Sequence, residues 1–178
     1  TIVNTWSYKE LVRILYQYAD EKFAKAIVRK IEQKREIAPI VTTFDLVAII
    51  KEAMPAYALK KPGHPAKRTF QALRIAVNDE LRVFERALQQ AFDIIDVKGR
   101  IAVITFHSLE DKICKYAFQE ATRQDALTIV LPNIPETMLP KFTLVTKKAI
   151  VSSKEELLEN NRAHSARLRI IERVRWDV

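Results

Sequence analysis

The chain has 178 residues, a formal net charge of +8 and a hydrophobic share of 48%. That length and apolar content exclude wholesale disorder and suit one domain or one and a half. The basic balance favours a polyanionic partner, nucleic acid ahead of an anionic membrane. No apolar run approaches the roughly 18 residues needed to cross a bilayer, and no signal peptide precedes the first helical segment. The lone Cys114 excludes an internal disulfide and a cysteine zinc site, and suits a reducing, cytoplasmic setting.

Residues 1–55 read as three short helices. Ser7 followed by Glu10 is a capping box. Leu11, Ile14, Leu15 and Tyr18 then recur at helical spacing. Asp20 is the expected cap of a second helix, with Phe23, Ile27 and Ile31 inward and a basic outer face. Pro39 ends it. Thr43 is the expected cap of a third helix, stopped by Pro55. Residues 56–66 read as a loop. Lys60, Lys61, His64, Lys67 and Arg68 concentrate charge there, and Pro65 suits the first turn of the helix that follows. Cations beside free backbone N–H groups make a phosphate site. The structural alternative is an ordinary helix start with surface lysines.

A strong helical pattern runs from Thr69 to Ile95, with a bend or restart expected at Asn78-Asp79. Gly99 turns the chain. RIAVITF then reads as a buried parallel strand. Ser108 with Asp111 is the expected cap of the next helix. The strand thus delivers Phe106, His107 and Ser108 to its carboxyl end, the ligand edge of an α/β sheet. LTIVLP reads as a short strand or extended loop. FTLVTKKAIV and AHSARLRIIERV read as strands flanking a short helix from Ser153, which fits a closing antiparallel pair. Arg162, His164, Arg167 and Arg169 can bind phosphate or simply decorate a sheet edge.

Gly63 and Gly99 are the only glycines, where an average chain of this length holds about twelve. Nucleotide and S-adenosylmethionine pockets of α/β folds need a glycine-rich turn for close backbone approach. None is present, and no histidine or cysteine cluster has metal-binding spacing.

The stretches HPAKRTFQALRIAVNDEL and GRIAVITFHSLEDK, with the opening VNTWSYKELVRILYQYADEKFAKAIVRKI and the closing ENNRAHSARLRIIERV, resemble the bacterial 16S rRNA (cytosine-N4)-methyltransferase family, also called MraW or RsmH. The resemblance covers almost the whole chain. It implies an α/β fold in which a partial Rossmann-like, S-adenosylmethionine-dependent methyltransferase sheet follows a small all-helical inserted domain. Residues 1–72 would be the inserted domain and 73–178 the methyltransferase part. The family's amino-terminal segment, with its glycine-rich cofactor loop, is absent. The expectation is therefore a truncated chain with no cofactor-binding residue of its own.

The resemblance further implies methyl transfer to the N4 amine of a cytidine in the decoding region of 16S rRNA, with the small ribosomal subunit as partner. His107 and Ser108 would position the substrate. His64, Lys67, Arg68, Asn78, Phe106 and Arg162 would contact RNA, Phe106 with a stacking or packing face and Lys67, Arg68 and Arg162 through phosphates. Pro65, Asp79, Glu80, Glu110 and Asp111 belong to the same matching blocks. The alternative is an inactive basic RNA-binding fragment. Half a sheet would also expose an edge and an apolar face, which predicts self-association.

Overall fold

The computed structural model describes residues 1–124, 134–135 and 138–176. The expected strand LTIVLP lies outside the described residues. The chain divides into two compact units, Thr1–Glu80 and Leu81–Val178.

The first unit is helical. It contains α1 (Ile2–Thr5), α2 (Tyr8–Ala19), α3 (Ala24–Ile37), α4 (Thr43–Ala53), α5 (Ala56–Leu59) and α6 (Lys67–Asn78). The expected box opens α2: the Ser7 hydroxyl accepts from the Glu10 N–H, and the Glu10 carboxylate accepts from the Ser7 N–H at 2.9 Å. Leu11, Ile14 and Leu15 pack against Ala24, Ile27, Val28 and Ile31 of α3 and Leu46, Ile49 and Ile50 of α4.

Four expected boundaries move. Asp20 does not cap α3: it closes α2 in the left-handed conformation, φ 47°. The buried Glu21 instead accepts from the Phe23 N–H at 3.0 Å, just ahead of α3. The cap of α4 is Thr42, not Thr43, and Asp45 completes its box. Pro55 ends α4 and also starts α5, so the expected loop holds a helical turn. Pro65 is not the first helical residue of α6. It sits in a turn closed by the Lys67 N–H donating to the His64 carbonyl at 3.0 Å, with Ala66 as the cap.

Much of the basic face of α3 is committed within the unit. Lys30 and Lys34 lie 3.6 and 3.1 Å from the Glu52 carboxylate. Arg35 is half-buried and donates to the carbonyls of Val3 and Trp6 at 3.0 and 2.7 Å. Asn4 meets Ile40 through two hydrogen bonds, one each way, as a paired strand residue would. The helical break comes where the sequence placed it. Asp79 is left-handed, φ 50°, and ends α6; α7 (Glu80–Ile94) starts directly after it.

The second unit adds β1 (Arg100–Thr105), α8 (Ser108–Ala121), β2 (Phe142–Leu144), β3 (Ile150–Val151), α9 (Lys154–Glu159), a 3₁₀ segment Asn161–Ser165, and β4 (Arg167–Arg173). It is mixed α/β with an antiparallel sheet. β4 is central. β1 pairs along it from Arg100↔Glu172 to Thr105↔Arg167. β2 and β3 pair with its opposite edge. RIAVITF pairs antiparallel with β4 and not parallel as expected: every pairing among the described residues is antiparallel. Nor is it buried on both faces. Ile101 and Val103 turn to a core of Leu88, Phe92, Cys114, Phe118, Phe142 and Ile171, while Ile104 is exposed on the other face.

FTLVTKKAIV forms two strands rather than one. The N–H groups of Val145 and Thr146 both donate to the Ile170 carbonyl, so two residues oppose one and the pairing is interrupted. β4 starts later than expected because Asn161–Ser165 is a 3₁₀ turn. Ser153 caps α9, as read.

Gly99 is required by space rather than by φ. A Cβ there would lie 2.5 Å from Ile95 Cγ1 and 2.7 Å from the Asp96 carbonyl. The left-handed residue of this turn is Lys98, φ 67°.

Arg173 is buried with its charge. Its guanidinium donates to the carbonyls of Phe92 and Ile95 at the end of α7 and to that of Arg175. The rings of Phe142 and Trp176 lie 5.3 and 3.8 Å from its carbon. It closes a helix terminus whose carbonyls have no intrahelical donor. Among the described residues no helix is long and apolar enough to cross a membrane.

Candidate nucleic-acid interface

Most of the expected residues fall into two places, one in each unit. In the helical unit, His64, Lys67 and Arg68 line a pocket of about 300 Å³. Lys22 and Lys61 join them, so five basic side chains border it, and Glu21 contributes one carboxylate. The His64 Nδ1 accepts from the Ala66 N–H at 3.3 Å, which pins its ring. Arg68 donates to the Asp20 carbonyl at 2.8 Å. The first turn of α6 holds no acidic residue, and no side chain caps it. The positive helix end thus reinforces the lysines. Asn78 is not gathered here. It lies eleven residues along α6 from Lys67, about 16 Å at 1.5 Å per residue. Its amide donates to the Glu80 carboxylate, which Arg74 also grips with two bonds.

In the second unit, Phe106, His107 and Ser108 do stand at the end of β1. Phe106 is 55% exposed. The expected Ser108–Asp111 cap shifts by one residue: His107 is the cap of α8, its Nδ1 accepting from the Glu110 N–H at 3.3 Å. The Glu110 carboxylate accepts in return from the N–H groups of Phe106 and His107. Ser108 is the first helical residue and is exposed. This helix start already holds Glu110 and Asp111, so it favours neutral or cationic groups over phosphate.

Arg162 lies in the 3₁₀ segment and is exposed. Among the described residues no hydrogen bond or ion pair joins its side chain to the strand tip. Arg167 and Arg169 are not free phosphate ligands. Arg169 grips the buried Asp111 with two bonds of 2.8 and 3.2 Å, and Arg167 adds a third at 3.2 Å. The Asp111 carboxyl is held below the usual aspartate range, first by the Arg169 hydrogen bonds. Burial pushes the Cys114 thiol up to about 11, so it remains protonated at neutral pH and is no nucleophile. Among the described residues no group of His, Cys, Asp and Glu is placed to hold a metal.

A family model described as the MraW methylase family matches residues 1–174. The chain belongs to that family. One curated relative, the ribosomal RNA small subunit methyltransferase H of Exiguobacterium sibiricum, is 58% identical over 174 residues. The alignment takes in 98% of this chain and 56% of that protein. The chain thus spans about half the length of the relative.

Methylase membership implies S-adenosylmethionine, and the described residues do not fit it. Gly63 lies in an exposed loop ahead of α6, not behind a strand. Gly99 precedes β1, and the space beside it is filled by Ile95. The one turn from the carboxyl end of β1 into a helix contains no glycine, and Glu110 and His107 already occupy its backbone donors.

Proposed function

We propose that this chain serves the S-adenosylmethionine-dependent methylation of a cytidine N4 amine in the decoding region of 16S rRNA, on the small ribosomal subunit and in the cytoplasm. It would supply RNA-contacting and sheet-forming parts rather than the cofactor loop. The 58% identity to a ribosomal RNA small subunit methyltransferase carries this reading. The basic pocket of the helical unit supports it, because phosphate contacts dominate affinity for nucleic acid. On the same reading, the helical unit is the insertion and the second unit is part of a Rossmann-like methyltransferase domain.

The amine to be methylated is a weak nucleophile, its lone pair delocalised into the ring. The base must leave its stack and be held in line. The exposed Phe106 ring and Ser108 hydroxyl would meet the base. His107 would act by fixing the turn that presents them, since its Nδ1 is taken up by the cap.

The test is a chimera in which this chain replaces the matching segment of the Exiguobacterium protein, assayed for methyl transfer to small-subunit rRNA with the modified base mapped by mass spectrometry. Transfer to a cytidine N4 in the decoding region is the expected result. A folded chimera that transfers nothing would sink the proposal. In that chimera His107→Ala should cost about 1 kcal/mol of stability, as lost caps do, and lower transfer. His107→Asn, a strong cap, should restore both. Transfer unaffected by His107→Ala would exclude the positioning role.

The exposed side chains of Ile104, Ile150 and Val151 support self-association of the chain in isolation. Sedimentation velocity should show a concentration-dependent increase in mass. A strict monomer at high concentration would refute it.

A further inference from the structure

The basic pocket has an aromatic neighbour that the sequence reading passed over. Tyr57, on α5, is 63% exposed. Its ring and that of Phe23, a pocket-lining residue, make a T-shaped pair with centroids 6.2 Å apart and planes at 65°. The ammonium of Lys61, which also lines the pocket, lies 6.0 Å from the Tyr57 centroid. One lysine therefore borders both the ring and the cavity. The other charges are available. Among the described residues neither Lys22 nor Lys67 makes an ion pair. The buried Glu21 is turned to the Phe23 N–H rather than to a lysine. An exposed tyrosine beside a lysine-lined cavity matches the two demands of a single strand: a π-face for an unpaired base and cations for the phosphate next to it. A duplex would offer the phosphates but hide the bases, leaving Tyr57 without a role.

We propose that the α5–α6 corner of the helical unit is a binding site for single-stranded RNA, with one base stacked on Tyr57 and the adjoining phosphate held by Lys22, Lys61 and Lys67. The site rests on the RNA-substrate reading above and names the form of RNA that the unit takes.

The test uses the 178-residue chain and a fluorescein-labelled 12-nucleotide RNA, single-stranded or annealed to its complement, followed by anisotropy over a range of salt. The native chain should prefer the single strand. Tyr57→Ala should weaken single-strand binding by roughly 5- to 150-fold, as loss of one base stack does. It should change duplex binding little and leave the salt slope intact. Tyr57→Phe should bind as the native chain does. Lys67→Gln should instead reduce the salt slope by about 0.7, the loss of one phosphate contact on a single strand. Circular dichroism melts of each variant check that α5 and α6 stay folded. Equal affinity of the native chain and Tyr57→Ala, no preference for the single strand, or no binding at all would overturn the site. Tyr57-dependent binding with an inactive chimera would discard the methylation reading alone.

Discussion

Arg173→Ala should lower the stability of the second unit by about 3–5 kcal/mol, through carbonyls left without a donor and lost side-chain packing. Three carbonyls, those of Phe92, Ile95 and Arg175, would lose their donor. An acceptor left dry costs roughly 1–3 kcal/mol, and the stack between Phe142 and Trp176 would be lost as well. Arg173→Lys should recover only part of this, because an ammonium keeps the charge but not the planar fork. The measurement is urea unfolding in a Trp6→Phe background. The chain has two tryptophans, Trp6 and Trp176, so the remaining signal reports the second unit. A loss below about 1 kcal/mol would mean that water takes over these carbonyls and that Arg173 is no structural pin.

The second large effect is at Asp111. This carboxylate is buried and takes three hydrogen bonds from Arg169 and Arg167. Asp111→Asn should cost about 2–4 kcal/mol, mostly from the Arg169 charge left buried. The exposed Arg167 can turn to solvent. The apolar pair Asp111→Leu with Arg169→Met should be less damaging than Asp111→Asn alone, because it removes both charges together. The pH dependence follows from the lowered Asp111 value. A depressed carboxyl stabilises the fold above the unfolded value of about 3.9. That contribution fades as pH falls through the folded value. The native chain should lose stability on acidification below about pH 4, and Asp111→Asn should show a flatter acid limb with no difference in shape between pH 5 and 8. Matching acid limbs would place the titration elsewhere.

These two residues mark where local reading of the sequence stops. The helices were legible because their signals are local: Ser7 with Glu10, the apolar spacing of Leu11, Ile14 and Leu15, and the Asn78-Asp79 break. Caps were read one residue off at Thr42 and His107, and for a reason. Two adjacent threonines give the same signature, and histidine is not among the usual cap residues although its Nδ1 can accept a hydrogen bond. Asp20 looked like a cap because aspartate suits both caps and left-handed turns. The direction of β1 was not legible. An apolar, β-branched run records burial but not the orientation of a partner 72 residues away. Arg169 and Asp111 are 58 residues apart, so nothing near either one announces the other. His64, Lys67 and Arg68 were found from charge density alone. Tyr57 was missed because a lone aromatic in a proline-flanked stretch carries no periodic signal.

The placement of β4 governs how the second unit is made. Among the described residues each of the other three strands pairs only with β4, and Thr105 at the end of β1 is translated 62 residues before Arg167, the first of its partners to be made. At typical elongation rates that is a wait of roughly 3 to 12 s. During it, RIAVIT has no described strand to join, and its edge is open to other chains. Any lesion that removes β4 should therefore release all three of the other described strands at once.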